Sequence, residues 1–134
     1  QWRGGGGMKP KATLLGIWIN YMKAGDFNPP HSHGADLSFV AFPDVPEEIA
    51  EECAAFKGTM RGPGGISWIY GEGDKTCISV VHQLPKTGDI YIFPAALKHW
   101  VFPFRSAVTR VSVSGNILFD QDSRIDYFSE KRIK

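Results

Sequence analysis

Apolar and polar residues follow the two-residue period of a β-strand over much of this chain. In the segment 13–21, every second residue from Leu15 to Tyr21 is apolar and falls on one face, while Asn20 falls on the other. Further short β-rich segments are separated by glycine, proline and aspartate turns. They predict strands over 37–42, 66–70, 77–81, 89–93 and 108–116. About seven short strands at this spacing favour a β-sandwich or barrel.

One segment carries a helix signal instead. Asp44 is a candidate N-cap with Glu47 three residues later, and Pro46 suits a first helical turn, so we expect a helix over 46–56. The fold class is therefore all-β with one or two short helices. Residues 1–7 are glycine-rich and are expected to be a linker or remnant outside the fold. The domain is expected over 8–119, followed by a charged tail over 120–134.

Composition narrows the function classes. The chain has 134 residues, 43% of them hydrophobic and 22% charged, with a formal net charge of +1. These values suit one globular domain, and they indicate neither a nucleic-acid partner nor a membrane surface. Cys53 and Cys77 do not make a disulfide framework, which favours thiols in a reducing compartment and a cytoplasmic, intracellular location.

Histidines provide the first candidate chemistry. His31 and His33 are two residues apart, which on an extended backbone puts both imidazoles on one face. Asp36 follows closely, and His99 comes shortly after the apolar strand over 89–93. Converging imidazoles suit Fe, Zn, Cu or Ni, and a third ligand from a distant strand would leave open positions on the metal. Taken alone, the His31–His33 pair could also be structural or solvent-exposed.

Arg110 is the second candidate. In the strand over 108–116, Arg110, Ser112 and Ser114 share one face and valines occupy the other. If the polar face points inward it needs an acidic partner. A guanidinium binds a carboxylate through two parallel hydrogen bonds, and a serine hydroxyl can add a third. The alternative is that this face is solvated.

Together these motifs resemble the 2-oxoglutarate and Fe(II)-dependent oxygenases over about residues 13–118. The resemblance is carried by the run from Tyr21 to His33, by Gly88-Asp89-x-x-x-Phe93-Pro94-x-x-x-x-His99, and by Arg110-x-Ser112. The prolyl-hydroxylase-like branch and short oxygenases of bacteria and marine phages are the most similar, and a phage-encoded origin is compatible with that resemblance. It implies a double-stranded β-helix, or jelly roll, with Fe(II) as the metal, 2-oxoglutarate as cosubstrate and O2 as oxidant.

The resemblance also implies roles for individual residues. His31 matches the first iron ligand and His99 the distal one, Arg110 and Ser112 match the anchor of the distal carboxylate of 2-oxoglutarate, and Tyr21 matches a tyrosine lining that pocket. The departure is at His33, where the family usually has aspartate. Either His33 binds the metal and completes a three-histidine site, or Asp36 supplies the carboxylate.

The expected reaction is hydroxylation of a small-molecule or peptide substrate, for example a peptidyl proline, with release of succinate and CO2. Two other classes share the barrel. A cupin-like metal protein fits Gly25 followed by His31-x-His33, but it lacks the expected glutamate and gives Arg110 no role. A non-catalytic barrel is the third reading, and the histidine at position 33 keeps it open.

Overall fold

The structure is a computed structural model that describes residues 11–58, 62–70 and 80–120. Within these residues the chain forms eight strands and one helix. The elements are β1 (Ala12–Met22), β2 (Asn28–His31), β3 (Leu37–Asp44), α1 (Glu47–Ala55), β4 (Ile66–Ile69), β5 (Val80–Gln83), β6 (Ile90–Pro94), β7 (Lys98–Val101) and β8 (Arg110–Phe119).

The strands build two four-stranded sheets, one in the order β1-β8-β3-β6 and the other in the order β2-β7-β4-β5. The pairings are antiparallel in both sheets. Strands far apart in sequence are neighbours in each sheet, as in a Greek-key arrangement. This mostly β architecture with one short helix is a jelly-roll, or double-stranded β-helix, sandwich, as predicted.

The core lies between the two sheets. Trp68 on β4 of one sheet packs edge-on against Tyr91 and Phe93 on β6 of the other, with ring centroids 5.5 Å apart in both pairs. Offset and edge-to-face contacts of this kind add to the stabilisation from burial. The remaining buried hydrophobic cluster consists of Met22, Val40, Phe42, Ile49, Ile66, Val101 and Phe104.

Strand register decides which side chains face this interior. β1 pairs with β8 so that Met22 lies opposite Arg110 and Asn20 opposite Ser112. Because alternate residues point to opposite faces, the intervening Tyr21 belongs to the outer face, where it is 64% exposed. The inner face of β8 is thus polar, and its arginine is buried.

The helix forms close to its predicted position but begins differently. Asp44 is the last residue of β3, so the prediction that it caps the helix was wrong. Pro46 occupies the N-cap position, and no side chain caps the helix. Ile49 is fully buried and anchors α1 on the core. In the described part of the chain, no helix is long and apolar enough to cross a membrane.

Several predictions fall outside the described residues. The linker over 1–7 lies outside them entirely, and of the tail over 120–134 only Asp120 is described. The first three residues of the predicted strand over 77–81 are also outside, and the observed strand β5 runs from Val80 to Gln83.

Candidate metal centre

Two strands and a following loop bring the three histidines together. β2 pairs with β7, and the register places His31 directly opposite His99. β2 is the edge strand of its sheet, which allows it to contain Pro29 and Pro30. His33 lies just beyond β2, where its backbone N–H donates to the carbonyl oxygen of Ala95 at 2.8 Å. All three imidazoles are therefore held by backbone pairing.

The imidazole rings lie within coordination range of a shared point. Ring centroids are 4.3 Å apart for His31 and His99, 5.1 Å for His31 and His33, and 5.2 Å for His33 and His99. One ring nitrogen from each histidine lies within 4.8 Å of the other two. Imidazole nitrogens suit Fe, Zn, Cu and Ni, so this donor set fits a divalent transition metal.

Backbone carbonyls fix which nitrogen is available on two of these rings. The Nδ1 of His31 lies 2.7 Å from the carbonyl oxygen of Pro29, and the Nδ1 of His99 lies 2.9 Å from that of Leu97. Since a carbonyl oxygen only accepts, both Nδ1 atoms must carry the proton. This leaves Nε2 as the metal-binding atom on each ring, an arrangement typical of histidine ligands.

The environment also lowers the pKa of two of the imidazoles, which favours their neutral form. Burial lowers the pKa of His33, and the neighbouring His31 lowers it further. Burial likewise lowers the pKa of His99, which is only 5% exposed, although its hydrogen bond to Leu97 acts in the opposite direction. A neutral imidazole is the form that binds a metal, so the site is preformed for one.

Asp36 lies outside this cluster. Its carboxylate Oδ2 accepts a hydrogen bond from the backbone N–H of Phe119 at 2.7 Å, at the end of β8. Its own N–H donates to the carbonyl oxygen of Ile117, and its carbonyl accepts from Ala95. Of the two alternatives for the third position, the geometry brings His33 to the other histidines and places Asp36 at the β3–β8 junction.

Arg110 is buried in the same cavity. It is 3% exposed and opens β8. Its Nη1 donates to the carbonyl oxygen of Gly64 at 2.6 Å, its Nη2 contacts the sulfur of Met22 at 2.8 Å, and its guanidinium carbon lies 5.4 Å from the centroid of the Phe42 ring. Its Nε has no hydrogen-bond partner within the described part of the chain. Burial lowers the pKa of Arg110 to about 10.

A buried cation with these surroundings calls for an anionic partner. Among the described residues, the groups that touch the guanidinium are a carbonyl, a thioether and an aromatic ring, none of which carries a negative charge. Buried charges are normally paired, because removing an ion from water costs several kcal/mol. The guanidinium lines the cavity shared with the histidines, so an anion in that cavity can pair with it.

Asn20 is a site residue that the sequence analysis did not select. Its Nδ2 lies 3.4 Å from the hydroxyl oxygens of both Ser112 and Ser114 across the β1–β8 pair. Ser112 is 5% exposed and lines the cavity two residues after Arg110, so the shared polar face of β8 points inward and is not solvated. Tyr21, expected to line the cosubstrate pocket, is among the residues that line this cavity, and its side chain is 64% exposed. Asn20 itself points inward on β1. A polar residue within this largely apolar strand was the sequence signal that could have identified it as a site residue.

The cavity has a volume of about 620 Å³, within the range of small-molecule sites. Trp18 forms part of its wall, with its ring centroid 5.8 Å from that of His33. His82 lies elsewhere: its Nδ1 is 2.8 Å from the hydroxyl oxygen of Ser67 in the second sheet.

Comparison with known proteins agrees with this geometry. No curated protein matches the chain. A family model described as "Putative 2OG-Fe(II) oxygenase" matches residues 16–116, which is 101 of the 134 residues. The match spans both sheets, the three histidines and Arg110. The chain belongs to this family of 2OG-Fe(II) oxygenases.

Proposed function

We propose that the protein is a 2-oxoglutarate- and Fe(II)-dependent dioxygenase that hydroxylates a small-molecule or peptide substrate. The observation that carries the proposal is that one cavity contains both a three-histidine cluster and a buried arginine to which no described residue makes an acidic contact. These are the two elements that a metal-bound dicarboxylate requires. Family membership supports the same activity.

His31, His33 and His99 would hold the metal, with Nε2 of His31 and His99 presented by their backbone hydrogen bonds. When bound, Fe(II) supplies the chemistry that couples conversion of 2-oxoglutarate and O2 into succinate and CO2 with insertion of oxygen into a substrate C–H bond. The protein supplies the ligands and a cavity lined by residues of both sheets. Trp18 shields one side of His33 from water.

Arg110 would bind the distal carboxylate of 2-oxoglutarate. Gly64 and Met22 hold the guanidinium on two sides, and the carboxylate would complete its charge-assisted hydrogen bonds. The hydroxyl of Ser112 is on the same face of β8 and would add a further hydrogen bond. Binding would therefore orient the cosubstrate along the inner face of β8.

Arg110 also distinguishes this proposal from a cupin-like metal protein. A barrel that only holds a metal through histidines gains nothing from a buried guanidinium, whose desolvation opposes folding. A dicarboxylate cosubstrate recovers that cost on binding. The non-catalytic reading is disfavoured for the same reason.

Anaerobic titration of the Fe(II)-loaded protein with 2-oxoglutarate tests the proposal. We expect a visible metal-to-ligand charge-transfer band and saturable binding by calorimetry, both lost in His99→Ala. The matched control is His82→Ala, which removes a histidine outside the cluster and should leave the band in place. Absence of both band and binding in the natural protein would exclude 2-oxoglutarate as cosubstrate. Succinate release under air with candidate substrates then tests hydroxylation.

A further inference from the structure

β1 is a long edge strand with an open side. It spans 11 residues, Ala12–Met22, and pairs with β8 on one side. In the described part of the chain, no strand or loop backbone pairs with its other side. Alternate residues of such a strand direct their N–H and C=O groups away from the sheet. β1 therefore presents a row of backbone donors and acceptors that another extended chain can engage.

The composition of β1 leaves this side unprotected. Edge strands are usually kept from pairing with other chains by charged residues, by proline or by being short. The segment 12–22 contains neither a charged residue nor a proline. β2, an edge strand of the other sheet, is the opposite case, because it has four residues and two of them are Pro29 and Pro30. The contrast indicates that β1 is open to an added strand and that β2 is not.

The cavity that holds the histidines reaches the open side of β1. Its wall includes five consecutive residues of this strand, 18–22. Successive side chains of a strand point to opposite faces, so a wall that includes all five passes over an edge of the strand, and β8 occupies the other edge. Trp18 and Asn20 lie on the inner side of the open edge, whereas Ile19 and Tyr21 lie on its outer side and are exposed. The cavity thus opens along the backbone of β1.

The histidine cluster lies just inside this opening. The ring centroid of Trp18 is 5.8 Å from that of His33, one of the three clustered histidines. Neighbouring strands of a sheet are about 4.8 Å apart, so a strand added to β1 passes across the mouth of the cavity. Side chains on the inner face of the added strand follow Trp18 and Asn20 into the cavity, and those on its outer face lie beside Ile19 and Tyr21.

We propose, resting on the function proposed above, that the substrate is an extended peptide segment that adds as a strand to the open side of β1. Hydrogen bonds between the two backbones supply affinity, and side-chain contacts supply specificity. The residue to be hydroxylated has its side chain on the inner face, towards the histidine cluster. The residues before and after it have their side chains on the outer face, where apolar ones pack against Ile19 and Tyr21.

Two other occupants fit this edge less well. A small molecule would leave the row of backbone donors and acceptors on β1 unused. A second copy of this chain could pair with β1 only by covering the opening of the cavity, whereas a peptide substrate needs that opening. The continuity of the open edge with the cavity therefore favours a peptide.

The test uses the full chain loaded with Zn(II) and given saturating 2-oxoglutarate, so that binding is measured without turnover. The probe is a set of capped nonapeptides in which threonine and valine alternate, with valine on both sides of one varied central residue. We expect saturable binding of the best members by fluorescence anisotropy. N-methylation of alternate backbone nitrogens in these peptides should lower affinity at least tenfold, and N-methylation of the intervening nitrogens should lower it less than twofold. Hydrogen exchange should slow at alternate backbone amides within 14–21.

Ile19→Lys tests the strand itself. A lysine there charges the open edge, as natural edge strands do, and should lower peptide affinity at least tenfold while leaving 2-oxoglutarate affinity unchanged. Ile92→Lys is the matched control, because Ile92 is exposed on the same sheet but lies on β6 at the opposite edge. It should change peptide affinity less than twofold.

The outcomes separate the alternatives. If no peptide binds while 2-oxoglutarate does, or if N-methylation shows no alternation, the inference is overturned and the proposed function stands. If the protein sediments as a dimer that Ile19→Lys converts to a monomer, β1 pairs with a second copy and the inference is overturned as well. If peptides bind with the alternating pattern but 2-oxoglutarate does not bind, the proposed function falls and the peptide site stands.

Discussion

Replacing Arg110 by methionine should make the protein more stable and less able to bind its cosubstrate. The two effects have one cause, since the guanidinium is buried and no described residue provides it with an anionic partner. Methionine has similar length, no charge, and a flexible side chain that fills irregular space. It suits a position already next to the sulfur of Met22 and the ring of Phe42.

The magnitude follows from the environment of the guanidinium. A pKa of about 10 for Arg110, against its ordinary 12.5, corresponds to roughly 3 kcal/mol that opposes holding the cation in the fold. Because the folded pKa is lowered, this cost is present in full at neutral pH and disappears as the pH rises from about 10 towards 12.5. Leaving the carbonyl of Gly64 without its donor costs about 1–3 kcal/mol. The balance is a gain of about 0–2 kcal/mol in the free energy of unfolding.

Binding should change in the opposite direction. Loss of charged hydrogen bonds to a carboxylate costs about 1.5–3 kcal/mol or more, which is roughly a 10- to 150-fold rise in the Kd for 2-oxoglutarate. In the metal-loaded natural protein, 2-oxoglutarate at a hundred times its Kd should add about 2.7 kcal/mol to the free energy of unfolding. In Arg110→Met, at the same concentration of 2-oxoglutarate, this increment should fall to about 0.3–1.4 kcal/mol.

Chemical denaturation at pH 7 with and without 2-oxoglutarate measures both effects, and calorimetry gives the Kd. Arg110→Lys retains the charge without the planar fork and should fall between the two proteins. Arg105→Met is the matched control, because Arg105 is exposed and should affect neither quantity. If Arg110→Met lowers the free energy of unfolding by more than about 1 kcal/mol and leaves the Kd unchanged, Arg110 is a structural residue held by Gly64 and not an anion anchor.

Three further predictions concern the supports of the site. Gly64 has φ of +75°, and a Cβ at this position would meet the side chain of Ile49. Gly64→Ala should therefore lower the free energy of unfolding by about 2–4 kcal/mol and weaken 2-oxoglutarate binding through Arg110. Unchanged stability in chemical denaturation would contradict this. Removing a residue that hydrogen-bonds to a metal ligand typically reduces metal affinity roughly 10- to 100-fold. His99→Ala removes a candidate ligand itself and should reduce Fe(II) affinity, measured by chelator competition, by more than that. Unchanged Fe(II) affinity would show that His99 is not a ligand. Burial raises the pKa of Glu52, but the hydrogen bonds that its carboxylate accepts from Ser106 and the backbone outweigh burial, and the pKa is lowered overall. The stabilisation from this carboxylate is therefore present above its ordinary pKa of 4.5 and is lost as the pH falls through the lowered value. Glu52→Gln should therefore reduce the free energy of unfolding by about 1 kcal/mol at pH 7, and the difference should shrink in acid; a constant difference would exclude the charge as its source.

Much of the fold was predictable because several strands show an alternation of side-chain types that is visible in the sequence alone. The alternation in β1 and β8 predicted both strands and placed Arg110 and Ser112 on one face. β2 and β7 were not predicted as strands. β2 contains two prolines and β7 is only four residues long, so both depend on pairing with each other and, for β7, with β4. Such short strands are decided by tertiary contacts rather than by propensity.

Within the site, the histidines could be identified as candidate metal ligands from their residue type and spacing. The choice between His33 and Asp36 for the third ligand position could not, because it depends on long-range contacts. The choice between His33 and Asp36 depends on a backbone N–H at Phe119, 83 residues further along the chain. Tyr21 and Asn20 both line the cavity, although the strand alternation places them on opposite faces of β1. The register sets Asn20 opposite Ser112 on the inner face, and the side chain of Tyr21 is 64% exposed.

The position of Asp36 links the fold of this domain to the charge of its metal centre. Asp36 closes the β3–β8 junction by accepting from Phe119, and a carboxylate engaged there is not available to the metal. The ligand offered at position 33 is then a histidine, and an ion held there would keep a charge that a carboxylate would have reduced. Arg110 raises the positive charge of the cavity further, so anionic ligands are favoured on two independent grounds. It follows that His33→Asp should weaken anion binding without weakening the fold, because the junction at Asp36 remains intact in that variant.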